Sequence, residues 1–466
     1  MGDPPVVGLA LGVLRGVSDD GINLYRSVRY AAPARRWSPP QPAEPWVGLL
    51  DADQWGPDCP QEPWNGSRAP RLDEDCLTLN IWSPTRDPEA RLPVLVWFFG
   101  GSFLFGSASS PKTDGTALAR RGAVVVSVNY RVGLFGFLSH PGLTAESPHG
   151  SSGNYGLLDQ IEALRWVRRH IGAFGGDPHR VTAFGVSAGS ASLALLTTSP
   201  LAQGCFDQVI LQSPGAFRSL ASLADSDAAG MAIGPDIEEL RALPWPDLLG
   251  RTARLVPKVR ALTAPRVLRP ICDGWVIPND ERAAYGTGRF HPVPTLVGTN
   301  TDEGRSLTAT WTTPRDELFA TNFGTSAHEA TGQWSTVADA FADTQFNLGA
   351  RGVARAQATA GQPTWRYVFT RRAPGHADGP HHGGEVGYVF GSLEHAEEDE
   401  TGHQLADTMG AAWVRFAATG DPNGGDLPSW PPYAAATDHH LELGEHITVG
   451  SGWRRAPLDF LDRFYG

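Results

Sequence analysis

Phe184-Gly185-Val186-Ser187-Ala188-Gly189 lies between two stretches of different character. Before it, Arg180-Val181-Thr182-Ala183-Phe184 reads as a short buried strand. After it, Ala188 to Leu196 is rich in Ala, Leu and Ser and reads as a helix. Gly-x-Ser-x-Gly between a strand and a helix is the nucleophile-elbow pattern. The turn is so sharp that its serine is strained, and the residues two positions away must lack a side chain. The hydroxyl is then presented at the top of a sheet, with the positive end of the following helix aimed at it. As a bare pattern these residues also fit an ordinary helix start, so the rest of the chain has to decide.

Working outward, Val94-Leu95-Val96-Trp97-Phe98-Phe99 is a continuous apolar run of the kind found in buried central strands, and it ends in Gly100-Gly101-Ser102-Phe103. Ala123 to Val128 is a second such run, and Val209-Ile210-Leu211 and Pro294 to Gly298 continue the series. Leu157 to His170 has helical periodicity, with Leu157, Ile161, Leu164 and Val167 on one face. Trp365 to Thr370 reads as the last core strand, and Leu458 to Phe464 as an amphipathic helix at the tail. Residues 1–50 read as short strands and turns. Strands alternating with helices predict an α/β protein with a central, mostly parallel sheet flanked by helices. With no internal repeat and no linker, 1–466 is expected to be a single domain.

Composition narrows the partners. The net charge is −12 without a Lys/Arg run, which argues against nucleic acid and anionic membrane surfaces. No apolar run reaches the roughly 18 residues of a membrane span. Met1-Gly2-Asp3-Pro4-Pro5 has no basic region and no cleavage site follows, so the expectation is no signal peptide and a cytoplasmic location. Four cysteines in 466 residues do not make a disulfide scaffold. Nothing calls for a metal or other cofactor. A small-molecule substrate and a monomer or small homo-oligomer are expected.

A serine hydroxyl needs a base, and the base needs an orienting acid. On a strand–elbow–helix scaffold the order is Ser, acid, His. Asp273, Asp302 and Glu303 are the acids at strand ends; His291, His328, His376, His381 and His382 are the downstream histidines. Position after a strand, with glycine alongside, favours Glu303 and His382. An oxyanion needs backbone N–H donors. Ala188, directly after the serine, and the Gly100-Gly101-Ser102 loop are the candidates.

Several longer motifs make the chain resemble the type B carboxylesterases, the family that includes cholinesterases and bacterial p-nitrobenzyl esterases. Glu74-Asp75-Cys76-Leu77-Thr78-Leu79-Asn80-Ile81-Trp82 is similar to a family signature. Asn129-Tyr130-Arg131-Val132-Gly133, Gly153 to Gln160, Phe174 to Pro178, Leu211-Gln212-Ser213, Asp302-Glu303-Gly304, His382-Gly383 and Thr419 to Gly424 continue the match. The resemblance implies an α/β-hydrolase fold and a serine carboxylic-ester hydrolase working through an acyl-enzyme. It puts the nucleophile on Ser187, the acid on Glu303, the base on His382 and the oxyanion hole on Gly101, Ser102 and Ala188. It also pairs Cys59 with Cys76, although a reducing compartment would keep them as thiols.

The departures bear on substrate. Ser102 stands where the family has a third glycine, Val186 where it has Glu, and Ser190 where it has another glycine. The segment 216–270 is short. Trp64 stands where cholinesterases place a cation-binding tryptophan, yet Val186 removes a negative charge from that wall, so the expectation is neutral esters with small to medium acyl groups. Trp64 and Val186 are thus the substrate-binding candidates. Two other functions compete: a metal-dependent hydrolase using the His and acidic residues of 376–385, and a non-catalytic, esterase-like binding protein.

Overall fold

The computed structural model describes residues 3–32, 35–255, 261–262, 267–375, 378–393 and 398–465. Its strands, in chain order, are β1 (Val6–Leu9), β2 (Gly12–Arg15), β3 (Val17–Asp19), β4 (Ile22–Arg29), β5 (Leu49–Asp51), β6 (Thr78–Ser83), β7 (Leu92–Phe98), β8 (Val124–Val128), β9 (Gly176–Val186), β10 (Gln208–Gln212), β11 (Thr295–Asn300), β12 (Thr364–Phe369), β13 (His439–Leu443) and β14 (Thr448–Ser451). The order across the main sheet is β14-β13-β12-β11-β10-β9-β7-β8-β6-β4-β3, and β1, β2 and β5 form a small separate sheet. From β8 to β13 every neighbouring pair is parallel, while β6, β4, β3 and β14 extend the edges antiparallel.

The apolar runs explain that centre. Side chains alternate across a strand, so a run apolar at every position must be covered on both faces. Along β7, Val94, Val96 and Phe98 enter one apolar cluster, and Leu95 and Trp97 enter the other. The helix Tyr155–His170 supplies Leu157, Ile161, Leu164 and Val167 to the first cluster. The helix Glu400–Thr419 supplies Met409, Trp413 and Phe416 to the second.

Two of the sequence motifs meet inside this body. Arg131 donates from Nε to Asp159 Oδ2 at 2.8 Å and from Nη2 to Oδ1 at 2.7 Å, with both side chains buried. The pair ties the exit of β8 to the helix Tyr155–His170, and losing one partner of such a pair costs about 3–5 kcal/mol. The tail helix is Arg455–Tyr465, which buries Leu458, Phe460 and Leu461. Among the described residues no helix is long and apolar enough to cross a membrane.

One element corrects the sequence reading. β12 is not the last strand of the core, because β13 pairs parallel to it through Tyr367–Leu441 and Phe369–Leu443. The segment His439-His440-Leu441-Glu442-Leu443 is polar at three of its five positions and too short to stand out as a buried run.

Candidate active site

β9 ends at Val186 and the helix Ala188–Leu196 begins two residues later, so Ser187 alone makes the turn. Its φ is +55° and its ψ −118°, a conformation that strains any residue with a side chain. The flanking glycines follow from packing against the end of β7. A Cβ on Gly185 would lie 2.6 Å from the Phe98 carbonyl oxygen, and one on Gly189 would lie 2.0 Å from it. Ser187 N–H donates to the Gln212 carbonyl at 3.0 Å, which fastens the turn to β10.

The chain leaving β7 forms the facing wall. Gly101 has φ +106°, and a Cβ there would lie 1.9 Å from the Phe105 carbonyl oxygen. Its carbonyl accepts the N–H groups of Leu104 and Phe105 at 2.9 and 3.2 Å. The N–H groups of Gly101 and Ser102 have no backbone acceptor among the described residues. Ala188 N–H, at the first position of its helix, has no intrahelical acceptor. All three residues line the cavity that contains Ser187. Ser102 adopts φ +59°, so a serine occupies the left-handed conformation that a glycine would take without strain. Two anchors hold this wall. Tyr130 Oη–H donates to the Phe99 carbonyl at 2.7 Å, and the Gln61 amide clamps Gly106 through bonds of 2.7 and 3.0 Å.

Glu303 is fully buried in the turn after β11. Its Oε2 accepts from His382 Nδ1–H at 2.5 Å, and its Oε1 accepts from Ser213 Oγ–H at 2.5 Å and Asn300 N–H at 2.7 Å. His382 Nε2 is buried without a hydrogen-bond partner among the described residues, and the residue lines the same cavity as Ser187. No direct hydrogen bond joins Ser187 to His382 here; such bonds are often long without substrate and tighten in the complex. The imidazole stacks on Phe346 with centroids 4.3 Å apart. Burial pulls its pKa down, but the Glu303 carboxylate, by attraction and by hydrogen bonding, outweighs this and holds it above the ordinary histidine value.

The structure therefore brings Ser187, His382, Gly101, Ser102 and Ala188 to one cavity of about 640 Å³, with Glu303 behind His382. Val186 and Trp64 also line it. Trp64 is 40% exposed and packs against Phe105 with ring centroids 5.9 Å apart.

The remaining candidates are engaged elsewhere. Asp302 pairs with Arg305 at 2.7 Å. Asp273 accepts from Ser151 Oγ–H at 2.6 Å, and His291 Nε2 bonds the Ser199 carbonyl at 2.7 Å. His381 is exposed, with Nδ1 3.0 Å from the His382 carbonyl oxygen. His328 lies in the helix Ala327–Gln333. His376 lies outside the described residues. Of the acids in 376–385, Asp378 pairs with Arg305 at 2.7 Å, and Glu385 accepts from Gln212 at 3.1 Å and Asn300 at 2.6 Å. Among the described residues no group of three His, Cys, Asp or Glu is arranged to hold a metal ion. Cys59 and Cys76 are buried thiols that interact with each other, and that contact, with burial second, pushes the Cys76 thiol well up.

Sequence reasoning missed Ser213, Asn300 and Glu385. Ser213 stood in the Leu211-Gln212-Ser213 motif, but its hydroxyl had no visible partner until β10 and β11 were neighbours. Glu385 lies three residues after His382, yet its bonds reach back to β10 and β11.

The chain is similar to known proteins along most of its length. The model of the carboxylesterase family matches residues 3–329 and 315–461. The chain is 41% identical to fumonisin B1 esterase of Sphingopyxis macrogoltabida, over 94% of this chain and 85% of that one. It is 33% identical to para-nitrobenzyl esterase of Bacillus subtilis, over 95% of this chain and 96% of the relative. Among solved structures, a PNB esterase superposes with a TM-score of 0.88 at 30% identity, covering 98% of this chain and 99% of the other. A Geobacillus stearothermophilus carboxylesterase superposes with a TM-score of 0.86 at 35% identity, covering 97% and 99%.

Proposed function

The chain belongs to the carboxylesterase family and is a serine carboxylic-ester hydrolase of the α/β-hydrolase fold, and on that premise we propose that Ser187, His382 and Glu303 are its catalytic triad. Ser187 Oγ attacks the ester carbonyl while His382 Nε2 takes its proton. Glu303 fixes the proton on His382 Nδ1 and stabilises the imidazolium that forms. The negative charge on the carbonyl oxygen meets the N–H groups of Gly101, Ser102 and Ala188, which are rigidly placed and need no reorganisation. His382 then protonates the departing alcohol. It next activates water to release the acid from Ser187.

The observation that carries this reading is the His382–Glu303 bond of 2.5 Å, with the other imidazole nitrogen unpartnered among the described residues at the cavity of Ser187. The cavity volume fits small to medium acyl groups. Val186 supplies no negative charge beside the half-exposed Trp64, which favours an alcohol part without positive charge. We assign the whole of 1–466 to one catalytic domain, active as a monomer or small homo-oligomer.

The test is covalent trapping. A phosphonate ester should add one equivalent to the wild type at Ser187, seen by intact-protein mass spectrometry, and none to Ser187→Ala. Ser187→Ala should also lose several orders of magnitude in ester turnover. Ordinary turnover by that variant, with contamination excluded, would overturn the assignment.

A further inference from the structure

The cavity of Ser187 is strongly asymmetric in charge. Lys112, Arg218 and Arg269 line it, and no aspartate or glutamate is among its described lining residues. The rest of the wall is largely apolar, including Phe99, Phe103, Phe341 and Phe346. Lys112 has the buried Glu385 carboxylate as a charge partner, whereas a guanidinium buried like that of Arg218 at an apolar cavity is costly unless something negative joins it.

Arg218 and the nucleophile helix both border Gly215. A Cβ on Gly215 would be 3.6 Å from the Ala191 Cβ and 3.7 Å from Arg218 Nη2, and Ala191 lies one turn after Ser187. The hydrogen bonds of Arg218 go to neutral oxygens: Nε donates to the Gly215 carbonyl at 3.1 Å, and Nη1 donates to the Gln345 side chain. The acid behind it, Glu281, accepts from Phe217 N–H at 2.9 Å and has its other oxygen unpartnered among the described residues. Burial pushes the Glu281 carboxyl up, against the pull of Arg218 and Arg282, and no hydrogen bond joins it to Arg218 among the described residues. At the other end, Lys112 Nζ donates to the Gly383 carbonyl at 3.1 Å, one residue beyond His382. Arg269 lies over the Phe103 ring, 5.7 Å from its centroid.

We propose that this cavity takes esters that also carry a free carboxylate, held by Arg218 within the positive field of Lys112 and Arg269. Planar, forked guanidinium is suited to a carboxylate, and the low-dielectric wall strengthens the pairing. The proposal rests on the ester-hydrolase reading above and narrows it. Val186 argued only against positive charge on the substrate; the cations extend that argument to favour negative charge. The carboxylate can belong to the acid half, as in a half-ester of a dicarboxylic acid, or to the alcohol half, as in an acylated hydroxy acid.

Two matched pairs separate these sources. Monoethyl succinate is compared with ethyl succinamate, and 3-acetoxypropanoate with 3-acetoxypropanamide, by kcat/KM followed with NMR. The wild type should favour the carboxylate member of at least one pair by about tenfold or more. The favoured pair identifies the half that Arg218 reads. Arg218→Gln and, separately, Lys112→Met should move that ratio towards one, while Arg218→Lys should keep part of it. Because both members of a pair are measured on the same preparation, partial unfolding of a variant lowers both rates and leaves the ratio intact. Turnover of 4-nitrophenyl acetate, lost in Ser187→Ala, tests the parent reading separately. If that turnover is present but both wild-type ratios are near one, or neither carboxylate ester is hydrolysed, the proposal is overturned. A ratio unmoved by both Arg218→Gln and Lys112→Met overturns it equally.

Discussion

Ser213 Oγ donates a hydrogen bond to Glu303 Oε1 at 2.5 Å, on the oxygen that His382 does not use. A buried carboxylate is expensive unless each oxygen finds donors, and Ser213, Asn300 N–H and His382 supply them. Ser213→Ala should therefore cost about 1.5–3 kcal/mol of stability, the range for a hydrogen bond to a charged group. It should also lower kcat with little change in KM, because the hydroxyl positions Glu303 and stands outside the substrate cavity. Denaturant unfolding and steady-state kinetics on one preparation check both; wild-type values in both would show that the bond is dispensable.

Adjacent residues should behave very differently. His382→Asn should damage turnover as much as Ser187→Ala, since the members of a triad act as one unit. His381→Asn should cost little, because that ring is exposed and faces only the His382 carbonyl. Glu303→Gln should hurt far more than Asp302→Asn, which loses a surface pair to Arg305 worth at most about 1 kcal/mol. A reversed order within either pair would redraw the site.

The pH profile carries a sign. His382 acts as a base only when neutral, and its pKa is held above the ordinary histidine value. The acid limb of kcat/KM should accordingly lie higher than an unperturbed histidine would place it, with activity lost as pH falls through that raised value. Glu303→Gln removes the largest raising influence; burial and Lys112 then lower the pKa, with Glu385 alone left to raise it. The limb should then move to lower pH, even as the maximal rate drops. A limb that stays put or moves upward would contradict the geometry.

Glycines separate by what surrounds them. Gly189→Ala would put a Cβ 2.0 Å from the Phe98 carbonyl oxygen, a backbone atom that cannot swing aside. Destabilisation of more than about 3 kcal/mol, or failure to fold, is expected. Gly332 lies exposed in the helix Ala327–Gln333 with nothing near its missing Cβ. Gly332→Ala should stabilise by about 0.5–1 kcal/mol through reduced backbone entropy loss. Thermal melts of the two variants decide; a destabilised Gly332→Ala or a wild-type-like Gly189→Ala would refute the packing argument.

Choline esters should be poor substrates. Trp64 offers an aromatic face worth ~0.5–2 kcal/mol to a quaternary ammonium. However, Val186 gives the wall no negative charge, and Lys112, Arg218 and Arg269 line the same cavity. The comparison is kcat/KM for a choline ester and its uncharged carbon isostere with the same acyl group. Preference for the choline ester by more than about tenfold would sink the reading of Trp64 and Val186.

Much of the framework was written locally. The elbow needs only six consecutive residues, because strand, strained serine, missing side chains and helix are all set by neighbours in the chain. The runs Val94 to Phe99 and Ala123 to Val128 announced central strands because burial on both faces leaves no polar position. Helical spacing placed Leu157, Ile161, Leu164 and Val167 on the buried face of Tyr155–His170. The family motifs singled out Glu303 over Asp302 and His382 over His381, and the structure brings those two into hydrogen-bond contact.

What tertiary structure alone decided are the relations between segments. A periodic pattern records how buried a residue is, but it does not record which distant residue it meets. Hence β13, short and mostly polar, was invisible until it lay against β12. The support of Glu303 by Ser213 and Asn300 likewise depends on β10 and β11 being neighbours. Lys112, Arg218 and Arg269 carried no shared signal in sequence; a single positive charge reads as a solvated side chain. Only the packing of three remote segments around one apolar cavity turns them into a common electrostatic field, because charges interact strongly where the chain brings them close and excludes water.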